Sequence, residues 1–132
     1  MDNSAQIDYW NGPAGQKWVR DADRLDKMLR PFLDAVIGAG KPRAGEVVTD
    51  IGCGGGALSL EVAGRGAIAT GVDVSQPLIE VARRRAAVSA PGTRFVVADA
   101  ADWTPETAAD LIVSRFGVMF FADPVRAFAN IR

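Results

Sequence analysis

The chain has 132 residues, of which 48% are hydrophobic and 23% charged, and its net charge of −1 gives no electrostatic reason to expect nucleic acid or an acidic membrane surface as a partner. The single cysteine, Cys53, excludes an internal disulfide, and the absence of histidine disfavours a zinc site or a histidine-activated nucleophile. No apolar run approaches the roughly 18 residues that span a bilayer, and the amino terminus lacks the pattern of a secretory signal, so we expect a cytoplasmic protein.

The first 40 residues are predicted to form a helical cap. Pro13 follows Asn11 and Gly12 and suits the first position of a helix. Apolar residues then recur at helical spacing from Leu25 to Ile37, and Pro31 predicts a break near Arg30. Residues 38–45 read as a loop.

From residue 41 onwards, predicted strands alternate with predicted helices. The strands cover about 46–51, 67–73, 94–98 and 110–114, and the helices cover 55–65, a segment after Ser75 and a segment after Asp123 and Pro124. This alternation predicts a mostly parallel sheet in a Rossmann-like three-layer α/β sandwich, with ligands at the carboxyl ends of the strands. The basic run Arg83, Arg84 and Arg85 is predicted to be a solvated helix face.

A glycine-rich turn joins the first strand to its helix. Gly52, Gly54 and Gly56 allow backbone conformations closed to other residues and let a ligand approach bare peptide. Asp50 precedes this turn and would favour a cationic ligand. Asp73 lies 21 residues beyond Gly52, near the spacing at which an acid reaches ribose hydroxyls.

Four segments together resemble the class I S-adenosylmethionine-dependent methyltransferases, in the branch that acts on small molecules. They are residues 50–56 (DIGCGGG), 71–75 (GVDVS), 97–100 (VADA) and 110–121 (DLIVSRFGVMFF). The resemblance covers about residues 45–132, and the segment from Tyr9 to Trp18 is similar to the amino-terminal cap of one branch.

The resemblance implies S-adenosylmethionine as cofactor and assigns roles to named residues. Asp50 would act on the methionine amino group, and Gly52, Gly54 and Gly56 would let the backbone approach the methionine and ribose. Asp73 would accept both ribose hydroxyls.

Further roles concern the adenine and the methionine end of the cofactor. Val74 would pack on the adenine, Asp99 would accept from its amino group, and the Ala100 amide would donate to a ring nitrogen. Ser114 and Arg115 would offer main-chain groups. Two readings stay open for the aromatic residues of the cap, which either close over the sulfonium or simply pack on the core: Tyr9, Trp10 and Trp18.

The carboxyl-terminal end also carries expectations. Residues 124–132 look like a helix cut in mid-course, so we expect a domain truncated after its fourth strand, without a complete acceptor site of its own. Strand four would then be an apolar edge, which predicts self-association through this strand or through exchanged helices.

The sequence leaves three functions open. They are methyl transfer to a small molecule, cofactor binding without turnover, and nicotinamide-dependent oxidoreduction. Asp50 and Asp99 favour the methyl donor. The sequence identifies no catalytic residue, no metal ligand and no particular acceptor.

Overall fold

The computed structural model describes residues 2–132, which contain seven helices and four strands. In chain order they are α1 (Ser4–Asn11), α2 (Pro13–Arg20), α3 (Ala22–Met28), α4 (Arg30–Gly40), β1 (Val47–Ile51), α5 (Ala57–Gly64), β2 (Ile68–Asp73), α6 (Gln76–Ser89), β3 (Arg94–Val97), β4 (Leu111–Val113) and α7 (Pro124–Ile131).

Helix boundaries follow local signals in most places. Pro13 starts α2, and the predicted break falls at Leu29, between α3 and α4. Ser75 caps α6 by accepting a hydrogen bond from the Leu78 amide, and Asp123 caps α7 in the same way. These confirm the predicted starts.

The predicted loop over 38–45 is wrong at its beginning, because α4 continues through Gly40. A Cβ at Gly40 would lie 3.3 Å from Leu111 Cδ2, so the helix end packs tightly against β4. The helix stops at Lys41, whose left-handed conformation has φ of 46° and whose amide donates to the Ile37 carbonyl. Packing against the sheet thus outweighs the low helix propensity of glycine.

The four strands form one parallel sheet in the order β3-β2-β1-β4, which confirms the predicted Rossmann-like α/β fold. In this register Asp50 pairs with Gly71 on one side and with Val113 on the other. The carboxyl ends of the strands therefore meet at one edge, which is where parallel sheets bind ligands.

Alternating side chains bury both faces of the sheet. On one face Val48, Leu58 and Val62 pack with Leu33 and Ile37 of α4, and α6 lies alongside through a cluster that includes Ile79 and Phe95. On the other face, Ile51 and Val72 pack with Ala100, Trp103 and Phe121 from the segments after β3 and β4. The segments after β3 and β4 therefore lie at the carboxyl edge of the sheet.

The amino-terminal helices dock on the loop between β2 and α6. The side chain of Asn11 donates to the Val74 carbonyl (2.8 Å) and accepts from the Gln76 amide (2.9 Å). Ser75 Oγ donates to the Trp10 carbonyl at 2.7 Å. Three hydrogen bonds thus hold the cap above the carboxyl edge of the sheet, while its division from residues 41–132 as a separate domain stays a prediction.

Among residues 2–132, no helix has the length and apolar character that crossing a bilayer requires.

Candidate functional site

A cavity of about 350 Å³ lies at the carboxyl edge of the sheet, between the strand ends and the amino-terminal helices. This volume is within the range of small-molecule sites. Ten of the thirteen residues predicted to hold the cofactor line it: Trp10, Trp18, Asp50, Gly52, Gly54, Asp73, Val74, Asp99, Ala100 and Arg115.

Asp50 lies near the end of β1 and is only 2% exposed. Burial raises the pKa of its carboxyl to about 7, although the Ser59 hydroxyl and the Arg115 guanidinium both act to lower it and Asp73 acts to raise it. Ser59 Oγ donates to Asp50 Oδ2 at 2.7 Å. The carboxylate therefore changes its charge near neutral pH, and a cationic ligand would favour the ionised form.

Asp73 ends β2 and ties two loops together. Its Oδ2 accepts from the Gly54 amide and its Oδ1 from the Ser75 amide, both at 2.8 Å. Burial raises the pKa of this carboxyl, and the backbone hydrogen bonds partly oppose that shift. A carboxylate offers about four lone-pair positions, so Asp73 can still accept from ligand hydroxyl groups.

The three glycines of the turn all have positive φ, but the space around them differs. A Cβ at Gly52 would overlap Gly117 Cα, whereas one at Gly56 would lie 2.9 Å from both Ala82 Cβ and Phe95 Cζ. A Cβ at Gly54 would meet nothing within 4 Å among the described residues. Gly54 thus leaves open space at the cavity, while Gly52 and Gly56 allow close packing of protein on protein.

Three predicted cofactor-binding residues fall outside the cavity lining. Gly56 packs against α6 and β3, as described above. Ser114 Oγ donates to the Ile51 carbonyl (2.7 Å) and accepts from the Gly117 amide (2.9 Å), so its hydroxyl shapes the turn after β4. Tyr9 is 57% exposed and contacts Trp10 edge to face. Direct cofactor contact stays a prediction at these three positions.

Asp99 and Ala100 line the cavity in a tight turn after β3. Asp99 Oδ1 accepts from the Ala101 amide at 2.9 Å, which is the turn-forming role that aspartate often has. Asn130 Nδ2 donates to the carbonyls of Ala100 and Trp103, so α7 stabilises the turn through two hydrogen bonds.

Aromatic side chains form one wall of the cavity. Trp10 contacts Trp18 and Phe120 edge to face, with ring centroids 5.8 and 5.7 Å apart. Phe116 and Met119 also line the cavity. Sequence reasoning missed the side chains of the segment after β4, although an apolar run directly after a predicted strand was the available signal.

An ion-pair cluster connects α3, α6 and the segment after β4. Asp26 Oδ2 lies 2.8 Å from Arg85 Nη1, and Asp26 Oδ1 lies 3.7 Å from Arg115 Nη2. Arg85 also donates to the Gly55 carbonyl at 3.0 Å and to Asp23 at 2.9 Å. The prediction of a solvated basic face is therefore wrong for Arg85, whose side chain is only 23% exposed. Neither Asp26 nor Ser59 was singled out from the sequence.

Comparison with known proteins agrees with this geometry. Residues 48–132 match the sequence profile of the methyltransferase domain family. The chain belongs to this family, within the class I S-adenosylmethionine-dependent methyltransferases, whose cofactor is S-adenosylmethionine.

Curated relatives include two proteins named ubiquinone biosynthesis O-methyltransferase. The protein of Coxiella burnetii is 39% identical over 79 residues, which are 60% of this chain and 31% of the relative. The mitochondrial protein of Schizosaccharomyces pombe is 38% identical over 79 residues, covering 60% of this chain and 27% of the relative. Less than a third of either relative's length is thus matched.

Solved structures show the same fold. A TehB-like S-adenosylmethionine-dependent methyltransferase of Corynebacterium glutamicum is 31% identical, with a TM-score of 0.67 over 86% of this chain and 64% of that one. A methyltransferase of Thiobacillus denitrificans, in complex with S-adenosylhomocysteine, is 26% identical, with a TM-score of 0.65 over 76% of this chain and 42% of that one. Magnesium protoporphyrin IX methyltransferase of Synechocystis, with bound S-adenosylmethionine, has a TM-score of 0.76 over 99% of this chain and 70% of that one. Its sequence identity is 21%, so this likeness supports the fold alone.

Proposed function

We propose that the chain binds S-adenosylmethionine in this cavity and transfers its methyl group to a small-molecule acceptor. The observation that carries the proposal is the placement of Asp50 and Asp73 in one cavity on either side of Gly54. Two carboxylates beside an open backbone turn suit a ligand that has hydroxyl groups at one point and positive charge at another.

The residues that line the cavity include a partner for each part of the cofactor in this proposal. Asp73 would accept from the ribose hydroxyls, and Val74, Asp99 and Ala100 would contact the adenine. Asp50 would pair with the methionine amino group. This order along the sheet edge repeats the order of the strands from β3 to β1.

Electrostatics support the same ligand. Both Asp50 and Asp73 have raised pKa values because they are buried, so each carboxylate lacks a fully compensating positive charge in the protein alone. The ammonium and sulfonium of S-adenosylmethionine would supply that charge. We therefore expect binding to strengthen as the pH rises through about 7, where Asp50 ionises.

When bound, S-adenosylmethionine supplies a methyl group that its sulfonium has already activated. The tasks left to the protein are to hold the acceptor in line with the carbon–sulfur bond and to exclude water. Trp10, Trp18 and Phe120 provide apolar surface at the cavity for the second task. Their aromatic faces would also attract a sulfonium by about 0.5–2 kcal/mol.

The acceptor that we propose is the hydroxyl group of a small, largely apolar molecule. Two observations support this class: the curated relatives are named O-methyltransferases, and the aromatic wall offers Phe116 and Met119 as further apolar surface. A polar acceptor would not form apolar contacts with this surface.

Isothermal titration calorimetry with S-adenosylmethionine, S-adenosylhomocysteine and NAD tests the cofactor. We expect both sulfur compounds to bind with one-to-one stoichiometry and NAD not to bind. Tight binding of NAD without a response to either sulfur compound would favour the oxidoreductase alternative and overturn the proposal.

Methyl transfer needs its own assay. Radiolabelled S-adenosylmethionine is incubated with a panel of phenols and catechols, with a matched panel of amines as control. Label in the hydroxyl-bearing acceptors alone is the expected result. Cofactor binding without label in any product would support the alternative of a binding domain without turnover.

Self-association through β4 is a further part of the proposal. β4 lies at one edge of the sheet, and Ile112 on it is 41% exposed. Light scattering across micromolar concentrations should show a dimer, and Ile112→Lys should shift the protein to monomer. A wild-type protein that is monomeric throughout would remove this element of the proposal.

A further inference from the structure

Arg85 of α6 joins the glycine turn to the amino-terminal helices. Its Nη1 donates to the Gly55 carbonyl at 3.0 Å and lies 2.8 Å from Asp26 Oδ2 of α3. Its Nη2 donates to Asp23 Oδ1, also of α3, at 2.9 Å. One guanidinium thus binds the turn and α3 at the same time.

Arg85 holds the turn from outside the cavity. It is not among the described residues that line the cavity, whereas Gly54 and Gly55 both line it. A Cβ at Gly55 would lie 3.2 Å from Arg85 Nη1, so the turn and the guanidinium are in close contact. The neighbouring Gly54 amide donates to Asp73 at 2.8 Å. The turn is therefore held at Gly54 by the carboxylate that ends β2, and at Gly55 by Arg85.

The position of Arg85 depends on α3. The side chain of Asp26 is 30% exposed and that of Asp23 is 97% exposed, so solvent screens the pair with Asp26 less. Asp26 is therefore the main anchor of the guanidinium. Without this anchor the long arginine side chain would regain its rotamer freedom, and its hydrogen bond to Gly55 would weaken.

The cap has a second attachment of a different kind. At α1, the Asn11 side chain and the Trp10 carbonyl form neutral hydrogen bonds with the loop between β2 and α6. At α3, the attachment is made by charged groups and includes the glycine turn through Arg85. A change in the docking of α3 therefore acts on the turn directly.

We propose that Arg85 is a positioning residue that couples the docking of α3 to the shape of the glycine turn, and so to cofactor binding. The inference rests on the proposed function, because it concerns the same cofactor, but it gives Arg85 no contact with that ligand. Coupling between two equilibria is reciprocal. Docked α3 favours the cofactor-binding shape of the turn, and the bound cofactor stabilises the docking of α3 by the same factor.

The test measures both directions of this coupling in the whole chain. Calorimetry gives the dissociation constant of S-adenosylhomocysteine, and hydrogen–deuterium exchange with mass spectrometry gives the rate of amide exchange in α3, with and without this ligand. The variants are Arg85→Met, which keeps the aliphatic stem, Asp26→Asn, and the two changes together. The control is Arg84→Gln, at an exposed position of α6.

We expect each single variant to weaken binding by roughly fivefold, which is the lower end of typical coupling, because the ion pair is partly exposed. The double variant should bind no more weakly than the single variants, since both changes break one connection. By reciprocity, the ligand should slow amide exchange in α3 roughly fivefold more in the wild type than in Arg85→Met. Arg84→Gln should match the wild type in both measurements.

Other outcomes would overturn the inference. Unchanged affinity in Arg85→Met would show that the turn keeps its shape without the guanidinium. Equal slowing of exchange by the ligand in this variant and in the wild type would show that α3 responds to direct ligand contact alone. Additive losses in the double variant would show that Asp26 and Arg85 act independently.

Two further results separate this inference from folding and from the proposed function. Arg85→Lys keeps the positive charge and should recover part of the affinity that Arg85→Met loses, and it serves as the test variant if Arg85→Met folds poorly. A wild type that does not bind S-adenosylhomocysteine would refute the proposed function together with the inference, whereas binding without coupling would refute the inference alone.

Discussion

The hydroxyl of Ser59 in α5 donates a 2.7 Å hydrogen bond to Asp50 Oδ2 in β1, and both side chains are almost completely buried. A hydrogen bond to the charged form of a carboxylate favours ionisation. Ser59 thus keeps the pKa of Asp50 near 7 in surroundings that would otherwise raise it further. A helix residue outside the glycine turn therefore lowers the pKa of a carboxyl group at the proposed cofactor site, against the larger effect of burial.

Replacing Ser59 with alanine should move the pH dependence of cofactor binding upward. Without its donor, Asp50 ionises at a higher pH, so the affinity for S-adenosylhomocysteine at pH 7 should fall by roughly threefold to tenfold. At pH 9, where Asp50 is ionised in both proteins, the affinity of the variant should be close to that of the wild type. Calorimetry between pH 6 and 9 measures the change, with Ser89→Ala at the exposed end of α6 as control. A loss of equal size at every pH would contradict the titration of Asp50 as its cause.

Asp50→Asn should make the free protein less sensitive to pH. Burial raises the pKa of Asp50 from 3.8 to about 7, so the folded protein holds this proton when the unfolded chain has already released it. The free energy of unfolding therefore falls as the pH rises from about 4 to about 7, by up to roughly 4 kcal/mol for this group. Above pH 7 the contribution stays at its lowest value.

Urea unfolding at pH 5 and pH 8 measures this effect. We expect the free energy of unfolding of the wild type to be lower at pH 8, and that of Asp50→Asn to change less between the two pH values. Some slope should remain, because burial also raises the pKa of Asp73. Asp50→Asn should also bind S-adenosylhomocysteine more weakly than the wild type does. An unchanged slope in the variant would refute the assignment.

Gly52→Ala and Gly54→Ala form a matched pair. Both positions have positive φ, 67° and 54°, so each alanine costs about 1–2 kcal/mol of backbone strain. Gly52→Ala also forces its Cβ onto Gly117, whereas the Cβ at Gly54 would enter open space. We expect Gly52→Ala to destabilise the fold by about 3 kcal/mol or more, and Gly54→Ala to act mainly on cofactor affinity. Urea unfolding and calorimetry separate the two effects, and equal stabilities would contradict the packing role of Gly52.

Asn11→Ala should loosen the amino-terminal helices. The variant loses the hydrogen bonds to Val74 and Gln76, each worth about 0.5–1.5 kcal/mol. Trypsin should then cleave faster at Lys17 and Arg20, while Asp8→Ala, on the exposed side of the same helix, should behave like the wild type. Identical cleavage rates for both variants would show that Asn11 does not hold the cap.

Local signals in the sequence were sufficient for the order of elements and for much of the site. Pro13, Pro31 and the capping residues Ser75 and Asp123 act within one helical turn, so their effects do not depend on distant contacts. The placement of Asp50 and Asp73 follows from strand ends, because parallel strands bring those ends together.

Other properties depend on contacts between residues far apart in the chain, and only the tertiary structure decides them. Gly52 and Gly56 belong to the same motif as Gly54, but a Cβ at Gly52 would meet Gly117 and one at Gly56 would meet Ala82 and Phe95, whereas one at Gly54 would enter open space. Arg85 belongs to a basic run, but it forms an ion pair with Asp26 of α3. The sequence by itself determined the strand, turn and helix that form the site, because short-range backbone and capping preferences specify them. Packing of α3, α6 and the segment after β4 decided which side chains reach the ligand, because burial, charge and close approach arise only where distant segments meet.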